Sequence, residues 1–391
     1  MIDLKEALRI VLDSARLLGT ERVDLGQALN RILAEEVTSD IDMPPFDKSR
    51  VDGYACRRAD LGNTLAIVET IQAGVPPTKA IEPNQCAKIM TGAAVPKGGD
   101  CVIMIEQTEN VGQDTIRFRG QRTPDNICRR AEDIETGQVV LEKGSRIRPQ
   151  HIAVLASVGQ VRPLVAKRPR VAIIASGDEL VEPAAKPGPS QIRNSNGPQL
   201  AAQVEAVGVV ARVYGTVKDV AADIDRVVKT AVADNDVVII SGGVSVGDFD
   251  LVPSILRQNN VRLLFEKIAV KPGKPTVFGL SEKTYFFGLP GNPVSTFVVF
   301  ELMVKPFLYK LMGHNYSPVC VQVPLDESVT RKDTERQGWL PVKATDAGTA
   351  QPVEYHGSAH IPALCTADGL ISMPIGVAKI EKASLVRVRL L

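Results

Sequence analysis

The residues of this chain best suited to chemistry stand at the ends of short apolar runs. Ser176-Gly177-Asp178-Glu179 follows Val171–Ala175, Lys218-Asp219 comes soon after Val209–Val213, and Ser241-Gly242-Gly243-Val244-Ser245-Val246-Gly247-Asp248-Phe249-Asp250 begins where Val237–Ile240 ends. An Asp or Ser in such a place commonly caps the next helix by accepting its free N–H groups, and each acid taken singly reads that way. Three successive run ends carrying carboxylates support a sharper reading. Clustered carboxylates repel one another unless a cation joins them. Mg²⁺ held by one or two carboxylates plus a substrate phosphate is the common solution in phosphate chemistry. Gly242, Gly243 and Gly247 leave backbone N–H groups free to approach an anion, although glycine-rich turns alone are weak evidence.

Two further segments carry complementary charge or rigidity. Lys271-Pro272-Gly273-Lys274-Pro275 stiffens a loop that presents two ammonium groups, which read either as solvated lysines or as holders of phosphate or another oxyanion. Gly288-Leu289-Pro290-Gly291-Asn292-Pro293-Val294-Ser295 joins a strand to a helix, either as an ordinary rigid turn or as one aiming its peptide groups and Ser295 into a crevice. Neither G-x-x-x-x-G-K-[ST] nor G-x-G-x-x-G occurs, which disfavours a Walker-type nucleotidase and a dinucleotide dehydrogenase. Upstream, Phe46–Ala55, Ile89–Gly92 and Arg129–Asp133 are polar loops. They are solvated turns or loops that close a site against another subunit.

The elements that must position these segments follow from periodicity. Leu4, Leu8, Val11, Ala15 and Leu18 form the stripe of an amphipathic opening helix, and Leu29, Ile32 and Leu33 predict a second helix. Strand-length runs at Leu65–Thr70, Cys101–Ile105 and Thr115–Phe118 predict a β-rich domain over 40–135. Residues 1–39 and 136–168, with a short helix after Pro149, read as one discontinuous unit. Between 169 and 316 strands alternate with helices at Pro198–Val207, Ala221–Ala233, Leu251–Gln258 and about Pro293–Leu311, a three-layer α/β domain. Residues 317–391, with strand candidates Val319–Val323, Leu370–Met373 and Leu385–Leu390, predict a C-terminal β-barrel-like domain. In an open α/β sheet ligands bind beyond the carboxyl ends of the strands, where the acidic loops fall.

Composition narrows the function classes. The 391 residues are 44% hydrophobic and 23% charged, and 46 basic against 45 acidic residues give a net charge of +1. That balance favours no nucleic-acid or anionic-membrane partner, so an anionic ligand needs a local site. The apolar stretch Phe297–Val304 is broken by Glu301 and is too short for a membrane helix, and the N-terminus has no export pattern. Six scattered cysteines without a C-x-x-C pair suit reduced thiols, and the chain is expected to be cytoplasmic. His356, His360 and Cys365 do not form a convincing metal set, because Gly357 and Pro362 break a common helix face.

The segments DKSRVDGYA, KIMTGAAVP, RRAEDI, SGDEL, SGGVSVGDFD, KPGKP and LPGNPVS occur in this order across most of the chain. The set resembles the molybdopterin molybdenumtransferases, the family of MoeA and the gephyrin E domain. The resemblance implies an elongated homodimer whose active site lies between the α/β domain of one chain and the β-rich domain of the other. It implies Mg²⁺ as cofactor, adenylylated molybdopterin and molybdate as substrates, and release of AMP. By matching motifs, Asp52, Thr91 and Asp133 would come from one subunit and Glu179, Asp219, Asp250, Lys271, Lys274, Pro290 and Pro293 from the other.

Within that set Glu179, Asp219 and Asp250 suit Mg²⁺, and the lysines suit phosphate or molybdate. Gly242, Gly243, Ser245 and Ser295 line the ligand loops, and Arg336 and Ser358 lie near positions resembling the family's molybdate contacts. Val51 and Asn194 depart from the family pattern, which leaves the charged set largely intact. Partners implied are a molybdopterin adenylyltransferase and apo-molybdoenzymes or their chaperones. The rivals are an adenylyltransferase-like enzyme, which the additional domains weigh against, and a non-catalytic gephyrin-like scaffold, which uses a fused second domain and long linker.

Overall fold

The computed structural model describes residues 1–244 and 251–391. The opening helix α1 (Leu4–Asp13) forms as expected, capped by the Asp3 side chain, which accepts the Glu6 N–H at 2.8 Å. The helix expected around Leu29, Ile32 and Leu33 does not form. A single 3₁₀ turn covers Leu25–Gln27, Asn30 takes φ +63°, and Ile32 and Leu33 bridge to Arg146 and Val165. Leu33 is buried in a small core with Leu141, Leu155 and Val158 among others, Ile32 in the large core with Val171 and Phe307, and Leu29 is exposed, so the three do not share one stripe. Thr20–Arg22 pairs with Leu164–Ala166, and Val37–Thr38 pairs with Val139–Leu141, so the chain's start is stitched to the segment that follows the β-rich region.

Between those stitches lies a six-stranded sheet. Its strands are β1 (Gly53–Cys56), β2 (Thr64–Ile71), β3 (Gln85–Ile89), β4 (Cys101–Met104), β5 (Thr108–Gly112) and β6 (Thr115–Phe118), in the order β4-β1-β3-β2-β6-β5. Cys56, Cys86 and Cys101 are buried here, and all six cysteines are free thiols. The short helix α2 (Pro149–Ser157) starts with Pro149, whose missing N–H costs nothing in a first turn.

The second sheet holds the cleft. Its elements are β7 (Val171–Ser176), α3 (Asn196–Ala206), β8 (Ala211–Val217), α4 (Ala221–Asp234), β9 (Val237–Ser241), α5 (Val252–Gln258), β10 (Arg262–Phe265), β11 (Val277–Leu280) and β12 (Tyr285–Leu289). The order is β8-β7-β9-β12-β11-β10; β8, β7, β9 and β12 are parallel, and β11 pairs antiparallel with both of its neighbours. β7 and β9 read as unbroken Val/Ile runs because both faces are covered. Val171, Ile173, Val237 and Ile239 face Leu200 and Val204 of α3, whereas Ala172, Ile174, Val238 and Ile240 face Ile224 and Val228 of α4 and Ile255 of α5.

The helix expected over Pro293–Leu311 is continuous but not uniform: α6 (Pro293–Val299), a π turn (Phe300–Val304), then α7 (Lys305–Leu311). Pro306 supplies no N–H to the preceding turn, which widens there. Phe307 of α7 packs edge-on against Tyr285 and Phe287 at centroid distances of 4.9 and 5.3 Å.

The C-terminal strands are β13 (Cys320–Pro324), β14 (Gln337–Ala344), β15 (Ala350–Pro352), β16 (Gly369–Met373) and β17 (Leu385–Leu390). They run β14-β16-β17-β13, with β15 on the free side of β14 and a Leu325–Ala350 bridge that closes the barrel-like sheet. Val270–Lys271, from the α/β segment, pairs with Gln337–Gly338 and so joins this sheet rather than its own. Replacement of Phe307 by Ala removes the hub of the aromatic cluster. It is expected to destabilise the fold by about 3–5 kcal/mol, read as a lowered denaturation midpoint.

Candidate functional site

The carboxyl ends of β7, β9 and β12 open into a cleft of ≈ 600 Å³ whose lining includes Glu179, Asp219, Gly242, Gly243, Pro290 and Pro293. The loop after β7 supplies two acids with different fates. Asp178 accepts the Asp219 N–H at 3.1 Å, the capping-type role that an acid at a strand end commonly takes. Glu179 lines the cleft, and its carboxylate has no hydrogen-bond or ion-pair partner among the described residues. Asp219 is held by the Ser176 hydroxyl, which donates to its Oδ1. Ser245 and Asp250 lie outside the described residues.

The turn after β9 has no room for side chains. Gly242 sits at φ +97°, where a Cβ would meet the Ser176 carbonyl oxygen at 2.1 Å, and Gly243 sits at φ +62°. Both conformations favour glycine, and the first also excludes any other residue by contact. The opposite wall is the turn Pro290–Pro293. Asn196, at the start of α3, donates its amide to Gly291 O at 2.7 Å and to Ser241 Oγ at 2.8 Å, while the Ser241 hydroxyl donates to Pro290 O at 3.2 Å. Because Gly291 O only accepts, the amide orientation of Asn196 is settled. Its Oδ1 is therefore a buried acceptor without a donor among the described residues.

A second cavity of ≈ 340 Å³ adjoins the first, with Pro275, Pro290 and Asn292 lining both. Its polar lining carries four cations, Lys271, Lys274, Arg331 and Arg336, with Ser295 and Ser358; Trp339 and Tyr355 supply apolar surface. Asp333 pairs with Arg336 and lies 3.6 Å from the Lys271 ammonium; the Arg336 guanidinium holds its carboxyl below the usual range. Arg331 donates to the carbonyls of Val377, Arg336 and Pro374, and burial pushes its guanidinium down from the ordinary value. Burial pushes the Tyr355 phenol up to about 12. The Asn292 amide donates to Ser358 Oγ at 2.9 Å and the Val294 N–H to Ser358 O at 3.0 Å, so Ser358 fastens the C-terminal segment to the turn between the cavities.

Asp52, Thr91 and Asp133 line neither cavity. Asp52 and Thr91 are together: the Thr91 N–H and hydroxyl both donate to Asp52 Oδ1 at 2.7 Å, and these bonds hold the exposed carboxyl below the usual range. Asp133 is exposed on a neighbouring loop. That loop is tied down by Asp42, which accepts from Arg130 Nε and from Thr136, and by Asp47, which accepts from the Arg130 N–H and from Arg129. Donation by Thr136 and Arg130 lowers Asp42 to about 2.

Sequence reasoning missed Asn196, Arg331, Trp339 and Tyr355. The polar run Asn194-Ser195-Asn196 before an apolar helix pattern is a signal that points to Asn196. Arg331, within Thr330-Arg331-Lys332-Asp333, is indistinguishable in sequence from a solvated face, and Trp339 and Tyr355 read as core.

Three family matches cover the chain in order. "MoeA N-terminal region (domain I and II)" matches residues 2–159, "Probable molybdopterin binding domain" residues 172–310, and "MoeA C-terminal region (domain IV)" residues 322–391. The molybdopterin molybdenumtransferase of Staphylococcus epidermidis is 36% identical over 399 residues, covering 99% of this chain and 95% of the relative. That of Staphylococcus aureus is 37% identical over 390 residues, covering 96% and 92%. The crystal structure of the molybdopterin biosynthesis MoeA protein from Pyrococcus horikoshii superposes with a TM-score of 0.87 at 29% identity, covering 100% of each chain. An acid-lined cleft at the carboxyl ends of a parallel sheet, a cationic cavity beside it and relatives matched end to end agree: the chain belongs to the molybdopterin molybdenumtransferase (MoeA) family.

Proposed function

We propose that this chain is a cytoplasmic, homodimeric molybdenumtransferase that inserts molybdate into adenylylated molybdopterin and releases AMP. The observation that carries the reading is the shared wall of Pro275, Pro290 and Asn292 between an acid-lined cleft and a cation-lined cavity. A molybdate held in the second cavity is next to a pterin dithiolene held in the first. The family match supports the same reaction class. The stitches between 1–39 and 136–168 favour a division into that unit and the domains 40–135, 169–316 and 317–391. Its partners are the adenylyltransferase that supplies the pterin and the apo-molybdoenzymes, or their chaperones, that receive the product. No described helix is long and apolar enough to cross a membrane.

The donors of the cleft fit Mg²⁺. Glu179 and Asp219 supply carboxylates, Asp250 is a third candidate from the adjoining loop, and the orphaned Asn196 Oδ1 is another hard oxygen. Bound by these residues, Mg²⁺ would supply positive charge against the phosphate oxygens.

The remaining work falls to the chain's own groups. The Gly242 N–H is spent on Leu289 O at 3.1 Å, so the Gly243 N–H and the Pro290–Pro293 turn bind and orient the pterin phosphate, with Ser245 and Ser295 as further polar contacts. Lys271, Lys274 and Arg336 balance the molybdate dianion, Arg336 through a planar fork suited to an oxyanion. Ser358 Oγ accepts from Asn292, which leaves its own proton for donation to that oxyanion. Asp52, kept ionised by Thr91, together with Asp133, orients pterin or water from the partner copy.

The direct test is AMP release from adenylylated molybdopterin with and without molybdate and Mg²⁺, followed by transfer of the product to an apo-molybdoenzyme. Molybdate-dependent release with reconstitution is expected; binding without either result would sink the reading. Glu179→Gln should fold normally and lose AMP release by about 10²–10³-fold, the scale for a charge-stabilising group in a reacting centre. Lys271→Ala should raise the molybdate concentration needed for half-maximal rate by at least about tenfold, one charge-assisted hydrogen bond, with little change in pterin binding. Because Asp52 is depressed, it stays ionised as pH falls below the usual carboxylate value and protonates only at its own lower pKa. Thr91→Val removes one donor, so the acid limb of the rate profile should move up towards about pH 3.9. An unmoved limb would uncouple Asp52 ionisation from turnover.

A further inference from the structure

Away from both cavities, a third one of ≈ 370 Å³ lies where the small discontinuous unit, the α/β segment and the C-terminal segment meet. Arg146 and Arg148 reach it from the first, Lys305 and Tyr309 of α7 from the second, and His314 and Tyr316 from the connector to the third. Arg389, on β17, lies over the Tyr316 ring at 6.0 Å. Tyr309 and Tyr316 stack at 5.0 Å with 5° between their planes; Lys305 lies 5.6 Å from the Tyr316 centroid and Arg146 5.9 Å from that of Tyr309.

Arg146, Arg148 and Lys305 bring cationic groups to the lining, which also holds Leu390 and Leu391. Lys305 pairs with the buried Glu301 at 2.8 Å, and the other oxygen of Glu301 accepts from Gln203 at 3.1 Å. Arg146 donates only to the neutral Asn30 amide oxygen at 3.0 Å, and Arg389 to the Glu301 carbonyl. Among the described residues no carboxylate lies within 4.0 Å of the guanidinium nitrogens of Arg146, Arg148 or Arg389. Among the described residues the buried Nε atoms of Arg146 and Arg389 have no acceptor, and Arg389 is only 9% exposed. Cation–π contacts cover part of the cost of crowding these cations.

We propose that this junction cavity is a second anion site, distinct from the oxyanion cavity, that takes the phosphate or diphosphate group of a small molecule. Arginine forks suit such a group, binding its oxygens in pairs, and Lys305 and the tyrosine hydroxyls supply further donors to the lining. His314 Nδ1 faces Gly144 O at 2.8 Å; that carbonyl can only accept, so Nδ1 carries the proton. Its occupant bridges Arg146, Arg148 and Lys305 at a point touched by three segments, and so stiffens their junction.

The test uses the full-length protein at low ionic strength with divalent metal chelated, and titrates inorganic phosphate and pyrophosphate by calorimetry and thermal unfolding. One equivalent of pyrophosphate should bind and raise the unfolding midpoint in a Lys271→Gln/Arg336→Gln variant, in which the oxyanion cavity is disabled. Arg148→Gln, at an exposed position, should weaken that equivalent by about tenfold while leaving the midpoint of the free protein unchanged. Arg146→Gln/Arg148→Gln should abolish it. The proposal is overturned if no equivalent survives in the Lys271→Gln/Arg336→Gln variant, or if Arg148→Gln leaves the affinity unchanged. Binding of phosphate alone as tightly as pyrophosphate assigns the site to a free monophosphate; stronger pyrophosphate binding assigns it to a diphosphate group, and both outcomes uphold it.

Discussion

The turn Pro290–Pro293 is the constraint on which the functional half of the molecule depends. Its carbonyls accept from Ser241, Thr296 and Asn196, and the adjoining Asn292 amide and Val294 N–H reach Ser358. One short segment thereby joins the end of β9, the start of α3, the start of α6 and the C-terminal part of the chain. Proline at both ends stiffens it without forgoing a needed donor, because Pro293 stands in the first turn of α6. Both cavities share this wall, so their separation is set by a turn that hydrogen bonds from Ser241, Thr296 and Asn196 hold in place.

That arrangement solves an electrostatic problem. A phosphate-bearing pterin and an oxyanion repel each other, and the chain has almost no net charge with which to attract either. Local fields do the work: carboxylates suited to a divalent cation on one side of the turn, four basic side chains on the other. Asp333 lies behind Arg336 and Lys271 and restrains their side chains, at the expense of part of their charge.

Much of this was legible in the amino-acid order. The Val/Ile runs of β7 and β9 announce strands covered on both faces, and the acidic and glycine-rich segments that follow them fall at the strand ends where a cleft must open. Geometry made by distant partners was not legible. Leu29, Ile32 and Leu33 carry helical spacing, yet Ile32 and Leu33 pair with residues more than a hundred positions away. Val270–Lys271 is read with the α/β segment but pairs with β14, which carries Lys271 to Arg336. Arg331 and Asn196 acquire their roles only from carbonyls supplied by other segments. Local pattern encodes elements and loop ends, whereas long-range pairing decides which polar side chains become enclosed.

Asp52, Thr91 and Asp133 stand apart from the two cavities, and the account places them in the site of a second copy of the chain. The most direct test mixes two inactive variants, Asp52→Ala and Glu179→Ala, under conditions that exchange subunits, and measures AMP release. A site built across two copies predicts recovery to about a quarter of wild-type activity, since half of the dimers are mixed and each mixed dimer holds one intact site. No recovery, with exchange verified by labelled subunits, would contradict it and place the whole reaction within single chains.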